Sequence, residues 1–379
     1  MKRSLLLIGG GHSHVEVIRR WGLAPEPGVT VTLVSPDRHT PYSGMLPGFI
    51  AGHYSHADCH IDLDTLCAAA GIIRVSATVS ALDLQARVAH CGTAPDQPFD
   101  MLSIDTGSNP VIAPIPGATE HGIAIKPVAA FLERWERLRE LSRIAEHPLH
   151  IAVVGAGAAG VEVILAMQHR IAADGGRARY TLIGNEQVIL GVHPRGVQRR
   201  FERILLERGI VLRTRTTVSR AETGALLLNG GERLPCDEAI WVTGAAAPSW
   251  PRASGLRTDA AGFILVDRHL QSLSHPGVFA AGDVASMAET PHPKSGVYAV
   301  RHGPVLAENL RRMLRSETLA DYRPQKISLA LISTGNRHAV ASYGPISFGG
   351  DWVWQWKDRI DRSFMQRYDA RPRSPGINA

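Results

Sequence analysis

Apolar positions along the chain fall into two rhythms. Leu5 to Ile8 is an unbroken apolar run, and Val29 to Val34 alternates apolar with β-branched residues, so both read as strands. Between them, Val15 to Trp21 has the three-to-four-residue spacing of a helix lying on the sheet those strands build. Leu63 to Ala70 predicts a short helix stopped by Gly71, while the segment from Pro41 to His60 has no helical period and predicts a loop. Phe99 to Ile104 predicts a strand ending at Asp105-Thr106-Gly107-Ser108. Pro110, Pro114, Pro116 and Gly117 make a rigid connection to an amphipathic helix over about 128–145. The rhythm then repeats with a strand at Ile151 to Val154, a helix, a strand at Tyr180 to Ile183, a helix over 195–208, and a strand at Glu238 to Thr243. After a Pro/Trp-rich link, Ala247 to Arg252, strands are expected at Phe263 to Val266 and Val278 to Ala281, then a helix over about 295–314.

Both strand-helix units open on a glycine turn. Gly9-Gly10-Gly11-His12-Ser13-His14 follows the first strand, and Gly155-Ala156-Gly157-Ala158-Ala159-Gly160 follows the strand at 151. Glycines there allow a tight turn and close backbone approach, so that a helix N-terminus can face a pyrophosphate. Gly155, Gly157 and Gly160 fill all three positions of the pattern, whereas the first copy has His14 at the third. His12 and His14 read equally as contacts to a bound cofactor and as packed polar residues. Ser35 and Gly184 stand at the ends of the next strands, where an acidic residue would bind ribose hydroxyls. Asp37 and Glu186 are near but displaced; this leaves NADH and NADPH open, with NADH preferred. A third signal, Gly282-Asp283 after an apolar strand, can place a carboxylate on a cofactor's polyol.

The chain is therefore expected to be α/β, with two Rossmann-like dinucleotide-binding domains, the first interrupted by the second. The boundaries expected are 1–115 and 250–319 for an FAD-binding domain, 116–249 for an inserted NAD(P)H-binding domain, and 320–379 for a small C-terminal region. A length of 379 residues suits two or three domains. With 44% apolar and 20% charged residues the composition is that of a folded globular chain. The net charge of +6 suits anionic cofactors or an anionic membrane surface, and no basic-aromatic pattern of a nucleic-acid module accompanies it. Met-Lys-Arg-Ser-Leu-Leu-Leu-Ile runs straight into a glycine turn and reads as a first strand rather than a signal peptide. No stretch reaches the length of a membrane span, since Glu162 interrupts the longest apolar run, so a cytoplasmic or peripheral protein is expected.

Cys59, Cys67, Cys91 and Cys236 have no Cys-x-x-Cys spacing, and dithiol chemistry beside a flavin is not expected. His53, His56, Cys59 and His60 have metal-like spacing but read better as hydrogen-bonding residues of a loop, so no metal is expected.

The two glycine turns, Tyr42-Ser43-Gly44-Met45-Leu46-Pro47-Gly48, Asp105-Thr106-Gly107-Ser108 and Gly282-Asp283 together resemble the pyridine nucleotide-disulfide oxidoreductase superfamily. Within it the chain is similar to type II NADH dehydrogenases and to the flavoprotein domain fused ahead of selenide, water dikinase; no kinase segment is read in this chain. The resemblance implies FAD in the first domain and NAD(P)H in the second. It further implies cofactor-binding roles for Gly9, Gly11, His12, Ser35, Pro41, Gly44, Thr106, Gly107, Gly155, Gly157, Gly160, Gly244, Gly282 and Asp283. Glu162 matches a glutamate near the nicotinamide and flavin, against the alternative of an exposed helical Glu. Lys294 would place positive charge near the isoalloxazine, against the alternative of a surface lysine.

The tail carries Trp352, Trp354 and Trp356 ahead of Arg359, Ile360, Arg362, Phe364 and Met365. On a helix, Val353, Trp356, Ile360 and Phe364 are expected on one face, which suits either a membrane interface or a packed or dimer interface. The function expected is hydride transfer from NAD(P)H to FAD, then electron transfer to an acceptor, with a quinone favoured. Reduction of a sulfur or selenium compound is the enzymatic alternative, and a non-catalytic flavin-based redox sensor the other.

Overall fold

The computed structural model describes residues 3–369, so residues 370–379 of the expected C-terminal region lie outside the described residues. Two five-stranded sheets organise the chain. The first is ordered 278–280, 101–104, 3–8, 29–34, 73–75, and every pairing in it is parallel. The second is ordered 123–124, 238–241, 149–154, 178–183, 210–213, again all parallel. The first sheet thus draws on both ends of the sequence and the second on its middle, the arrangement of one Rossmann-like domain inserted into another. The two crossings pair with each other, Asn109–Pro110 lying antiparallel to Ala245–Ala246.

Parallel strands covered on both faces need continuous apolar runs. Leu5, Leu6, Leu7 and Ile8 are buried, as are Ile151, Ala152 and Val153 in the second sheet. The helices His12–Leu23 and Gly296–Leu314 cover the first sheet and pack on each other; Ala158–Ala173 covers the second. In both sheets the strand order reverses beside the first strand of the unit, and the crevice at such a reversal opens at the carboxyl ends of the strands. Gly9 and Asp105 face each other at one crevice, Gly155 and the segment after Trp241 at the other.

The segment from 41 to 60 is more ordered than its composition predicts. It holds the short helices Leu46–Ile50 and His56–Cys59, the latter closed by reciprocal Ser55–Asp58 hydrogen bonds, and His39–Pro41 pairs with His60–Asp62. A three-stranded antiparallel sheet, 330–334, 336–343 and 346–350, leads into the helix Asp351–Gln366. That helix splits the face expected of Val353, Trp356, Ile360 and Phe364. Val353, Trp354, Lys357, Asp361 and Phe364 are buried, while Trp352, Trp356 and Ile360 are exposed at 56%, 37% and 42%. The apolar stripe at 352, 356 and 360 is the outer one, because the inner face is satisfied by a buried ion pair.

Candidate functional site

At the second crevice the glycines do two different jobs. Gly155 (φ +123°) and Gly160 are hemmed in by backbone: a β-carbon would collide with Val242 O at the first and with Gly155 O at the second. Gly157 caps the helix Ala158–Ala173 with no side-chain partner and has nothing within 4 Å of a would-be β-carbon; Gly244, across the crevice, is equally open. Helix and strand are thus pulled tightly together while the rim stays clear, which fits a pyrophosphate at the helix N-terminus. Glu186, beyond the following strand, is exposed.

The first crevice reaches the same geometry with different residues. Gly9 (φ +90°) lies against the backbone of Asp105 and Thr106. His14, which departs from the glycine pattern, is fully buried and bridges strand to helix: Nδ1 lies 2.6 Å from Gly9 O and Nε2 2.8 Å from Ser103 Oγ. A carbonyl can only accept, so Nδ1 carries the proton and Nε2 accepts from the Ser103 hydroxyl. Burial lowers the pKa of this imidazole to about 4, which keeps it neutral. His14 is therefore a packed polar residue, one of the two roles its sequence left open. His12 is also held neutral, lowered to about 4 first by burial and then by Lys126, and its Nε2 accepts the Ser43 N–H at 3.4 Å. Its ring lies 5.5 Å from Tyr42, which stacks on Phe364 of the C-terminal helix at 4.2 Å.

Asp283 follows Gly282, whose φ of +67° turns the chain out of the sheet. Its carboxylate accepts from Ser108 Oγ at 3.1 Å and pairs with Lys126 Nζ at 3.4 Å. Lys126 follows the edge strand of the second sheet, so the Gly282-Asp283 turn is touched from both domains. Gly107 (φ +71°) has open space around it, and Thr106 is exposed beside it. These residues fit an extended dinucleotide running from the Gly9–Gly11 turn past Asp283. Ser35, buried at the end of its strand, is tied by its N–H to Val75 O, and Pro41 pairs with His60, so both sit on the crevice border.

Glu162 and Lys294 belong to separate groups. Lys294 turns inward, with Nζ donating to Ala285 O and lying 4.1 Å over the Phe263 ring; burial lowers its pKa to about 8. It is not a surface lysine. Glu162 is not an exposed helical residue either: its Oε1 accepts from Ser333 N at 2.7 Å and Ser333 Oγ at 3.0 Å. Burial pushes its carboxyl above the ordinary range, opposed by the nearby Lys357 ammonium. Lys357 in turn donates to Gly44 O and to Asp361 Oδ2, both at 2.6 Å. Burial and then Asp361 raise the pKa of the Tyr42 phenol. The inserted domain, the 42–48 turn and the C-terminal helix thus share one partly buried charged cluster.

Sequence reasoning missed Lys357, Asp361, Lys126 and Asp105. An ion pair at i, i+4 was available as a signal in the tail, but the tryptophans around it drew the reading outward. Nothing local marks Lys126. All four cysteines are buried, and burial raises the thiols of Cys59 and Cys67 to about 12 and Cys236 to about 11. His56 and His60 stack at 3.7 Å, and among the described residues no group of three or more His, Cys, Asp or Glu could hold a metal ion. No helix among the described residues is long and apolar enough to cross a membrane.

Residues 3–303 match the pyridine nucleotide-disulphide oxidoreductase family. An NADH dehydrogenase-like protein of Mycobacterium tuberculosis is 29% identical over 255 residues, 65% of this chain and 63% of that protein, so the match leaves more than a third of the relative's length uncovered. Demethylphylloquinone reductase NdbB of Synechocystis is 26% identical over 190 residues, 49% of this chain and 46% of that one. The sulfide:quinone oxidoreductase structure from Aquifex aeolicus superposes with a TM-score of 0.81 at 19% identity, covering 97% of this chain and 91% of that one. The NDH2 structure from Plasmodium falciparum in complex with NADH superposes with a TM-score of 0.78 at 15% identity, covering 98% and 99%. Two fused dinucleotide crevices and a family match over most of its length lead to one conclusion: the chain belongs to the pyridine nucleotide-disulphide oxidoreductase family and has the FAD- and NAD(P)H-dependent oxidoreductase fold.

Proposed function

We propose that the protein oxidises NAD(P)H through FAD and reduces a quinone. The observation that carries this reading is the cluster of Glu162, Lys357 and Asp361 where the inserted domain, the 42–48 turn and the C-terminal helix meet. Quinone reduction consumes protons as well as electrons, and a carboxyl raised by burial beside an ammonium can hold one close to the reacting ring. Bound FAD supplies the two-electron relay between nicotinamide and acceptor. The chain's own residues do the rest. The Gly155–Gly160 turn holds the nicotinamide dinucleotide, and Gly9, Gly11, His12, Gly44, Thr106, Gly107, Gly282 and Asp283 hold the flavin dinucleotide. Tyr42 and Phe364 close one side against water.

The names of two relatives, a demethylphylloquinone reductase and a sulfide:quinone oxidoreductase, support a quinone acceptor. Burial of all four cysteines argues against a thiol relay, and so against reduction of a sulfur or selenium compound through one. Trp352, Trp356 and Ile360, with Arg359 and Arg367 beside them, form an outward apolar and basic stripe suited to the membrane surface where such quinones reside. An acceptor screen under NADH and NADPH tests the reading. Quinone turnover supports it, turnover of polysulfide or a selenium compound replaces it, and flavin reduction with no acceptor turnover points to a sensor.

A further inference from the structure

Asp105 has no part in the redox chemistry above, yet it sits at the tightest point of the first crevice. It is 2% exposed, and its Oδ2 accepts from Ser13 N at 2.8 Å and from His14 N at 3.0 Å. Two N-terminal amide donors of the His12–Leu23 helix are therefore taken by a side chain. The rest of the carboxyl stands between the two cofactor turns: a β-carbon on Gly11 would collide with it, and so would one on Gly282. One acidic side chain thus sets the spacing between the Gly9–Gly11 turn and the Gly282-Asp283 turn. The second crevice has an apolar residue at the matching place: Trp241 pairs with Val154 as Ile104 pairs with Ile8, so Val242 stands where Asp105 does.

A helix N-terminus attracts anions through its free N–H groups and its dipole. An ionised carboxylate already seated there would use up that field and repel a pyrophosphate a few ångströms away. A neutral carboxyl keeps the same hydrogen bonds and leaves the field to the ligand. We propose that Asp105 is a positioning residue that couples FAD retention to one proton: the carboxyl is protonated when the pyrophosphate is bound, and loss of that proton to water weakens the hold on FAD.

The surroundings are those such a device needs. Burial raises the Asp105 pKa to about 7, opposed by the amides of His14 and Ser13 and reinforced by the charge of Asp283. The opening helix presents His12 and His14 to the crevice; both are lowered to about 4, foremost by burial. The helix Gly296–Leu314 presents His302, whose Nδ1 accepts from Gly282 N and whose pKa burial lowers to about 3. Asp283 is paired with Lys126. His292, stacked on Tyr298 of the Gly296–Leu314 helix, is likewise lowered by burial. Lys294, lowered by burial to about 8 against the opposing charge of Asp283, loses its own charge only at the upper end of the range, which leaves Asp105 as the group at these turns whose charge changes around 7.

The test follows FAD release from diluted holoenzyme by flavin fluorescence between pH 5.5 and 8.5. The dissociation constant should rise with pH above 7, approaching tenfold per unit, the limit for one linked proton. Asp105→Asn, neutral and similar in shape, should hold FAD with no slope over that range, whereas Asp105→Ala should lose FAD at every pH. Should the variants fail to fold, calorimetry of FAD binding to the unmodified chain at pH 8, in buffers of different ionisation enthalpy, should show close to one proton taken up. A flat dependence in the unmodified protein, a slope retained in Asp105→Asn, or no proton uptake would overturn the proposal.

Discussion

Single residues decide whether the crevices are clear or closed, and glycine identity alone does not say which. Gly157 projects into open space, so Gly157→Val should leave the fold intact and weaken NAD(P)H binding by tenfold or more, with FAD retained; titrating the oxidised flavin's absorbance with NADH and NADPH measures this. Gly160→Val should instead destabilise the protein, because its β-carbon meets Gly155 O. Glu162→Gln should lower quinone turnover by on the order of a hundredfold, the scale of a general acid, while flavin reduction by NADH changes little. The sign of the pH dependence follows from the raised carboxyl: its proton-donating form is present below the elevated pKa, so quinone turnover should fall as pH rises through it, and Glu162→Gln should erase that limb. The two glycine turns were legible in the sequence because they are local. Asp105 was quoted there as a strand end and as part of the segment that carries the family resemblance, but without a role of its own, since its hydrogen bonds to Ser13 and His14 join positions that only the folded sheet makes neighbours.

At the scale of elements, periodicity located the strands and helices of both Rossmann-like units, missed the short helices Leu46–Ile50 and His56–Cys59, and misjudged the helix at the carboxyl end. The helix at the carboxyl end shows why. The spacing puts Val353, Trp356, Ile360 and Phe364 on one face, but the buried Lys357–Asp361 pair turns the helix so that Val353 and Phe364 face the protein with it while Trp356 and Ile360 stay outside. A buried pair is retained only when both charges are satisfied, and here Gly44 O supplies the further acceptor. Changing Trp352, Trp356 and Ile360 together to Ser should therefore spare stability and reduce sedimentation with anionic lipid vesicles. Phe364→Ala, on the inner face, should cost about 3–5 kcal/mol in denaturant unfolding. Equal vesicle binding by the triple variant and the unmodified chain would remove the membrane role from the outer stripe.

For the whole molecule, the insertion of one Rossmann-like unit into another was readable from the order of strands and glycine turns. The charged cluster was not, because Glu162, Gly44 and Lys357 are far apart in sequence and meet only after three parts of the chain assemble. Replacing all four cysteines with alanine should leave the rate of flavin bleaching by NADH within about twofold, since each thiol is buried and, through burial, harder to ionise. A variant that keeps its flavin but loses turnover would restore a sulfur mechanism.

The three-stranded sheet near the carboxyl end has a mechanical consequence. Its Ser333 is bonded to Glu162, its Ser342 Oγ lies 2.9 Å from His193 Nδ1, and the carbonyl of its Gly335 turn accepts His53 Nε2. Glu162 and His193 belong to the inserted unit and His53 to the outer one, so this sheet is a strut spanning both. A strut of that kind resists rotation of one unit against the other. Under the proposed function, the spacing between the two cofactor turns, Gly9–Gly11 and Gly155–Gly160, is then fixed when the chain folds.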